Sequence, residues 1–404
     1  MAGFQVTTEV QQHRHCYDDG AMWLPHARQL IVITFVFSPW VARVFAQDTV
    51  SLEAIDWGAT LPQDRLVAQL GTKRVIFVGE THDRYDHHLN QFEIIKQLHQ
   101  LDPSLAIGVE YFQQPFQAQV DDYIAGRTAE KEFLRSTEYY QGWGYDYRLY
   151  ATIFRFAREH QIPVRALNVP RDLASQIAKV GIKGLSAQQR TYVPKEIVPA
   201  NDAYRSRLRA AFQGHGKEKP DDFDHFVEAQ LVWDEGMAEG AAAYLNANQG
   251  RRMVILAGSG HLIFGDGIPT RLARRTNATY AIVLNGGDEV EPHMADYVLL
   301  SRKQELPSPG VLGISLEEKD GECRIRSLSP GGVGEKAGLK SGDVLVEIDG
   351  QAVKNIADMR LALWDKKPRD RAQVNVRRKR RFGVVTTHTF DIELAAASKP
   401  SGKS

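Results

Sequence analysis

The chain has 404 residues, more than one ordinary domain needs, and is 43% hydrophobic and 9% aromatic, which suits packed cores and excludes a disordered or fibrous protein. Lys and Arg together number 50, as do Asp and Glu, so bulk charge selects no polyanionic partner and nucleic acid is not expected. The 2 cysteines, Cys16 and Cys323, are too few for a disulfide framework.

The N-terminal region reads as an export signal. Met22 opens a short segment whose firm positive charge is Arg28. An apolar run follows from Leu30 to Val41, and Val44-Phe45-Ala46 ends in a small residue before Gln47. That layout predicts a cleavable signal with Met22 as the start, residues 1–21 as an over-long extension and Gln47 as the mature N-terminus. The expected location is periplasmic or secreted, and an anchor that stays uncleaved is the competing reading. The apolar run is short for a transmembrane helix. The mature chain would keep Cys323 alone.

From residue 55 to 300, short apolar runs alternate with amphipathic stretches. Strands are expected at 74–79, 105–111, 163–168, 252–258 and 280–285, and helices at 86–100, 146–160 and 224–247. Such alternation predicts an α/β domain with a mostly parallel sheet and helices on both faces. Segment 171–222 is polar and helical and is expected to be an insertion over the strand ends. Residues 301–309 carry two prolines and form a linker. Beyond it, 310–394 has short strands and Gly-rich turns, and 395–404 reads as a disordered tail.

Polar residues gather where the expected strands end. Val78 is followed by Gly79-Glu80-Thr81-His82, Glu110 closes Ile107-Gly108-Val109-Glu110, Asn168 closes Ala166-Leu167-Asn168, and His261 closes Gly258-Ser259-Gly260-His261. Ligands of parallel sheets sit at the carboxyl ends of strands. Glu80, His82, Glu110 and His261 are therefore candidates for a divalent transition metal or for acid–base catalysis. A single histidine after a strand is commonly a turn residue, and the four together carry the expectation. On the helix over 224–247, Gln230 and Asp234 share a face with Val227, Leu231, Ala238 and Ala241. A buried Asp234 needs a partner, which is a site histidine, a metal or an arginine. His87 and His88 are expected to be exposed. Tyr139, Tyr140, Trp143, Tyr145, Tyr147 and Tyr150 either pack helices or line a pocket.

These ordered motifs, with Gln230-Leu231-Val232-Trp233-Asp234-Glu235-Gly236-Met237, resemble the ChaN-like family over about residues 55–300. The resemblance implies haem binding and a link to iron uptake, within a superfamily shared with Tiki-type metalloproteases and erythromycin esterases. It implies that Glu80, His82, Glu110 and His261 occupy one crevice and serve as metal or acid–base residues in hydrolytic relatives. Tyr204 and His215, in the insertion, are candidate haem ligands. No Cys-x-x-Cys-His attachment signal occurs.

The C-terminal part is similar to PDZ domains of bacterial protease-associated proteins, through Gly310-Val311-Leu312-Gly313-Ile314, Ser329-Pro330-Gly331-Gly332, Ala337-Gly338-Leu339-Lys340-Ser341-Gly342-Asp343 and Ile348-Asp349-Gly350. The expected fold is small and barrel-like. Amides of Leu312, Gly313 and Ile314 would take a peptide carboxylate, and a strand edge would take the peptide. Met359 and Leu363 would wall its side-chain pocket. A domain docked on the first one with no free ligand is the competing reading. Arg377-Arg378-Lys379-Arg380-Arg381 is expected at a hairpin tip, solvated or drawn to an anionic membrane surface.

Three functions remain open at this point. The first is an exported haem-binding or iron-uptake accessory that holds a partner protein by its C-terminus. The second is a metal-dependent or His/Glu-based hydrolase acting on a small molecule, ester or peptide. The third is a scaffold, which the intact Glu80, His82, Glu110 and His261 set speaks against. No Gly-x-Ser-x-Gly elbow supports a serine esterase.

Overall fold

In a computed structural model of the chain, residues 54–56, 59–213, 222–286, 290–380 and 384–397 are described. The export segment, Cys16 and His215 lie outside them.

Eight strands build the first sheet: β1 (Ala54–Asp56), β2 (Ala59–Leu61), β3 (Val75–Glu80), β4 (Leu105–Gln113), β5 (Val164–Asn168), β6 (Arg252–Gly258), β7 (Tyr280–Asn285) and β8 (Tyr297–Leu299). Their order is β2-β1-β8-β7-β3-β6-β4-β5. From β8 to β5 every pairing is parallel, and β1 and β2 add an antiparallel edge. The five strands read from apolar runs are all present. β1, β2 and β8, at three residues each, are too short to show a period in the sequence.

Each central strand is buried on both faces, as a sheet sandwiched between helices requires. Ile76, Val78, Val254, Leu256, Ala281 and Val283 point into one core, formed with helices Gln63–Leu70, Tyr85–Leu101, Gln117–Ile124 and Ala151–Glu159. Val75, Phe77, Met253, Ile255, Ala257, Ile282 and Leu284 point into the other, under helices Asp222–Ala247 and Ile268–Thr276. Gly79 is required by closeness: a Cβ there would stand 2.4 Å from Leu284. Among the described residues no helix is long and apolar enough to cross a membrane.

The stretch after β5 is an insertion of helices Arg171–Val180, Ala187–Arg190 and Asp202–Gln213. It is locked down by charge. Glu235 is fully buried; it accepts from the Val198 amide at 2.8 Å and pairs with Arg271 at 3.2 Å and Arg275 at 2.6 Å. Arg207 pairs with Asp266 and Asn201 donates to it at 2.8 Å. The insertion therefore sits over the loop that carries His261.

The second sheet contains β10 (Ile314–Lys319), β11 (Glu322–Leu328), β12 (Val344–Ile348), β13 (Gln351–Ala352), β14 (Arg371–Lys379) and β15 (Val385–Glu393); β9 (Gly310–Val311) pairs with β16 (Ala395–Ala396). The last pairing corrects the expectation of a tail disordered from 395 onward: Ala395 and Ala396 are held to Val311 and Gly310. Leu345, Ile348, Val374 and Val376 fill this domain's core. Of the basic run, Arg377, Arg378 and Lys379 close β14 and Arg381 lies outside the described residues; two of its charges are committed. Arg377 pairs with Glu322 at 2.7 Å and Arg378 with Asp343 at 2.6 Å, which leaves less charge for a membrane surface.

Helix Ile356–Leu363 ties the two domains together. Leu361 and Trp364 belong to the core of the α/β domain, Trp364 packs edge-on against Tyr147 at 5.5 Å, and Arg155 lies 5.7 Å over its ring.

Candidate functional site

The carboxyl ends of β3, β4 and β6 bring Glu80, His82, Glu110 and His261 into one crevice. His82 Nδ1 lies 2.6 Å from Glu80 Oε1, so the two-residue spacing after β3 folds the imidazole back onto its own strand end. Glu110 is the first residue of β4 beyond the ladder with β6, whose last pair is Val109 with Leu256. Free of the ladder, Glu110 takes the Gly258 amide on Oε2 at 2.7 Å and faces His261 Nε2 with Oε1 at 3.5 Å. Gly258 floors the crevice: a Cβ there would stand 2.9 Å from His82 Cε1 and 3.6 Å from Glu110 Oε2.

His261 is held from both sides. Its Nδ1 lies 2.7 Å from Asp234 Oδ1, and Tyr204 donates to Asp234 Oδ2 at 2.6 Å. The partner of buried Asp234 is thus a site histidine; the nearby arginines take its neighbour Glu235 instead. Burial disfavours charge on His261, yet the facing carboxylates of Glu110 and Asp234 outweigh it and push its pKa up to about 10. At neutral pH it is an imidazolium between two carboxylates. Burial likewise opposes charge on His82, and the hydrogen bond and charge of Glu80 raise its pKa nonetheless. Glu110 is lowered: burial works against its charge and the His261 cation overcomes it.

Several expectations change on this geometry. Among the described residues, no group of three or more His, Cys, Asp or Glu side chains is disposed to hold a metal ion. Glu80, His82, Glu110 and His261 are arranged as ion pairs with one another and with Asp234, rather than around a shared point. Tyr204 is buried with its hydroxyl on Asp234, which keeps it from an axial haem role in this arrangement. Asn168 does not enter the crevice; it donates to the Glu110 carbonyl at 3.0 Å and steadies β4. His87 and His88 are buried, not exposed. His88 Nε2 lies 3.1 Å from the His82 carbonyl, and the His87 ring accepts from the Thr81 amide at 3.0 Å, so both shape the turn after β3. The inner face of their helix runs through His88, Gln91, Ile95 and Leu98.

The aromatic cluster divides between the two roles left open. Tyr139, Tyr147 and Tyr150 are core residues. Trp143 and Tyr145 lie over His82 with ring centroids 4.8 and 5.0 Å away. Trp143 Nε1 donates to the Tyr150 hydroxyl at 3.0 Å, and that hydroxyl donates to the His82 carbonyl at 3.2 Å. Motif spacing gave no hint of Trp143 or Tyr145, whose only signal was aromatic density.

The Leu312–Ile314 turn expected to take a peptide carboxylate lies in the second domain. The carbonyls of Leu312 and Gly313 accept from the Gly334 and Ser329 amides at 3.1 and 2.8 Å. Across trans peptides the Gly313 and Ile314 N–H groups point away from that wall. A cavity of about 510 Å³ lies there, lined by Leu312, Gly313, Ile314, Met359 and Leu363, and also by Tyr140, Gly144 and Asp146 of the first domain.

A family model described as haem-binding uptake, Tiki superfamily, ChaN matches residues 66–272, and a PDZ domain model matches residues 310–389. Among solved structures, ChaN of Campylobacter jejuni with cofacially bound haem is similar at 18% identity and a TM-score of 0.52, over 62% of this chain and 97% of that one. An erythromycin esterase, EreC, aligns at 14% identity and a TM-score of 0.35, over 59% of this chain and 78% of its own. The PDZ domain of a carboxy-terminal protease from Vibrio cholerae, in complex with peptide, aligns at 22% identity and a TM-score of 0.20, over 23% of this chain and 100% of its own. No curated protein matches the chain.

Proposed function

Because the chain belongs to the haem-binding uptake family of the Tiki superfamily, the ChaN family, and carries a PDZ domain behind it, we propose that it binds haem and captures protein C-termini. The observation that carries the haem reading is His82. Its Nδ1 is held by Glu80, its side chain is 27% exposed, and Trp143 and Tyr145 flank it. Haem iron takes an axial imidazole, and a carboxylate on the far nitrogen fixes the tautomer and raises basicity. Nε2 of His82 would be the ligand atom, and the aromatic rings would lie against the porphyrin. Bound haem would supply an iron centre for uptake or redox chemistry. Export through residues 22–46 and a role in iron acquisition belong to the same proposal.

The test is a haemin titration followed at the Soret band. A saturable, shifted band that His82→Ala abolishes supports the reading. A band that His82→Ala leaves unchanged removes His82 from it, and no band removes haem.

A second reading rests on the Asp234–His261–Glu110 array. With Glu80 on Nδ1, neutral His82 can accept a proton from water at Nε2, while the His261 imidazolium can donate one to a leaving group. The array would serve the His/Glu-based form of the hydrolase reading. Turnover in an ester and peptide screen, lost in both His82→Ala and His261→Ala, would support it.

A further inference from the structure

One stretch of chain touches both the crevice and the groove. Tyr139 and Tyr147 are fully buried anchors, and none of the seven residues between them is buried. Two of those seven are glycines, and Gly144 has φ +84 with open space where a Cβ would be. On its inner side the stretch lays Trp143 and Tyr145 over His82. On its outer side Tyr140, Gly144 and Asp146 line the peptide cavity. Arg360, on the helix that walls the groove, donates to the Gly144 carbonyl at 2.8 Å. A second cavity of about 430 Å³ continues past Glu318, Asn355 and Ile356, and Tyr140–Gly144 line it too.

The groove has a measurable reach. β10 is an edge strand, so a peptide can add along it from the Leu312–Ile314 turn. Glu318 Oε1 accepts from the Ile356 amide at 2.8 Å, bridging β10 to the start of the helix. Ile314 to Glu318 spans about 13 Å of strand, room for about four residues. A longer occupant must open that bridge or press on Tyr140–Gly144.

We propose that a peptide C-terminus longer than the groove displaces Tyr140–Asp146 and so uncovers His82. The groove is a composite of both domains, and its occupant sets access to the crevice. The apolar lining of Leu312, Ile314, Met359 and Leu363 suits an apolar last side chain with a free carboxylate. This inference rests on the groove being a C-terminus site, as proposed above.

The experiment uses the intact chain and a fluorescein-labelled decapeptide ending in Val-Tyr-Val, as free acid and as amide. Anisotropy reports binding. Diethylpyrocarbonate labelling of His82, resolved by mass spectrometry, reports exposure. The acid is expected to bind better than the amide and to raise the His82 labelling rate by about fivefold or more, the low end of an allosteric coupling. The tripeptide Val-Tyr-Val is expected to bind without that rise. In Arg360→Ala, an exposed position, His82 is expected to label fast before peptide is added. Binding of the decapeptide with a rate change under about twofold overturns the coupling and leaves the groove reading intact. No binding of either form overturns the groove reading, and the coupling falls with it.

Discussion

Asp234 and His261 meet at 2.7 Å, with the carboxylate fully buried in the middle of the longest helix and the imidazole on the loop that ends β6. Tyr204 satisfies the second carboxylate oxygen, so the charge is held by a phenol and an imidazolium, with no arginine. Breaking one member of such a pair leaves a buried charge uncompensated, which costs about 3–5 kcal/mol.

A pH signature follows. The folded pKa of His261 stands at about 10 against an ordinary 6.5. A raised pKa gives stability that is complete below the unfolded value and is lost as pH climbs through the folded one. The Tm gap between the native chain and His261→Gln should therefore be widest near pH 6 and narrow towards pH 10. Thermal unfolding by circular dichroism at stepped pH measures it, and a gap that widens with pH would contradict this account.

Tyr204→Phe should cost about 2 kcal/mol, since it removes a hydrogen bond to a charged acceptor and leaves Asp234 Oδ2 bare. Haemin binding should survive, because the hydroxyl lies on Asp234 and not at the rim. Urea unfolding and a Soret titration of the same preparation separate the two effects. Loss of the band in a folded Tyr204→Phe protein would return that tyrosine to the ligand set.

Gly258→Ala probes the crevice floor. The φ of −56° suits alanine, so the backbone tolerates the change. The new methyl would stand 2.9 Å from His82 Cε1 and must push the ring aside. Stability should drop by about 1–3 kcal/mol. Haem affinity or ester turnover should fall about tenfold or more, because displacement of the order of 1 Å is enough. Full function in this variant would mean that His82 does not act where it lies.

Trp364→Ala should uncouple the domains. The ring is nearly buried between Tyr147 and Arg155, and truncating such a side chain costs about 3–5 kcal/mol. Differential scanning calorimetry should show one transition in the native chain and two in the variant.

The sequence made the parallel strands legible because strands buried on both faces read as unbroken apolar runs, and their ends stood out because Glu80 and His261 follow glycines and Glu110 interrupts an apolar run. Asp234 stood out for the same reason, as a carboxylate on an apolar helix face. His87 and His88 were misjudged because adjacent histidines at a helix start resemble a solvated end; their burial comes from the turn after β3, a tertiary contact with no local signature. Tyr204 was legible as a tyrosine in the insertion but not as a partner of Asp234, thirty residues away. The two domains were visible from their motifs, while the seat of Trp364 against Tyr147 depends on long-range packing.

The clasp between β9 and β16 returns the chain to the place where it entered the second domain, and Ala397 itself lines the peptide cavity. A group fused beyond Ser404 is therefore tethered to the wall of that cavity by the seven residues 398–404. A short tether of that kind gives a local concentration of about a millimolar for any carboxylate it carries. An affinity tag joined there would act as a built-in competitor. Weak ligands would look absent in a tagged protein and reappear once the tag is cut away, so binding measurements belong on protein tagged at the other end.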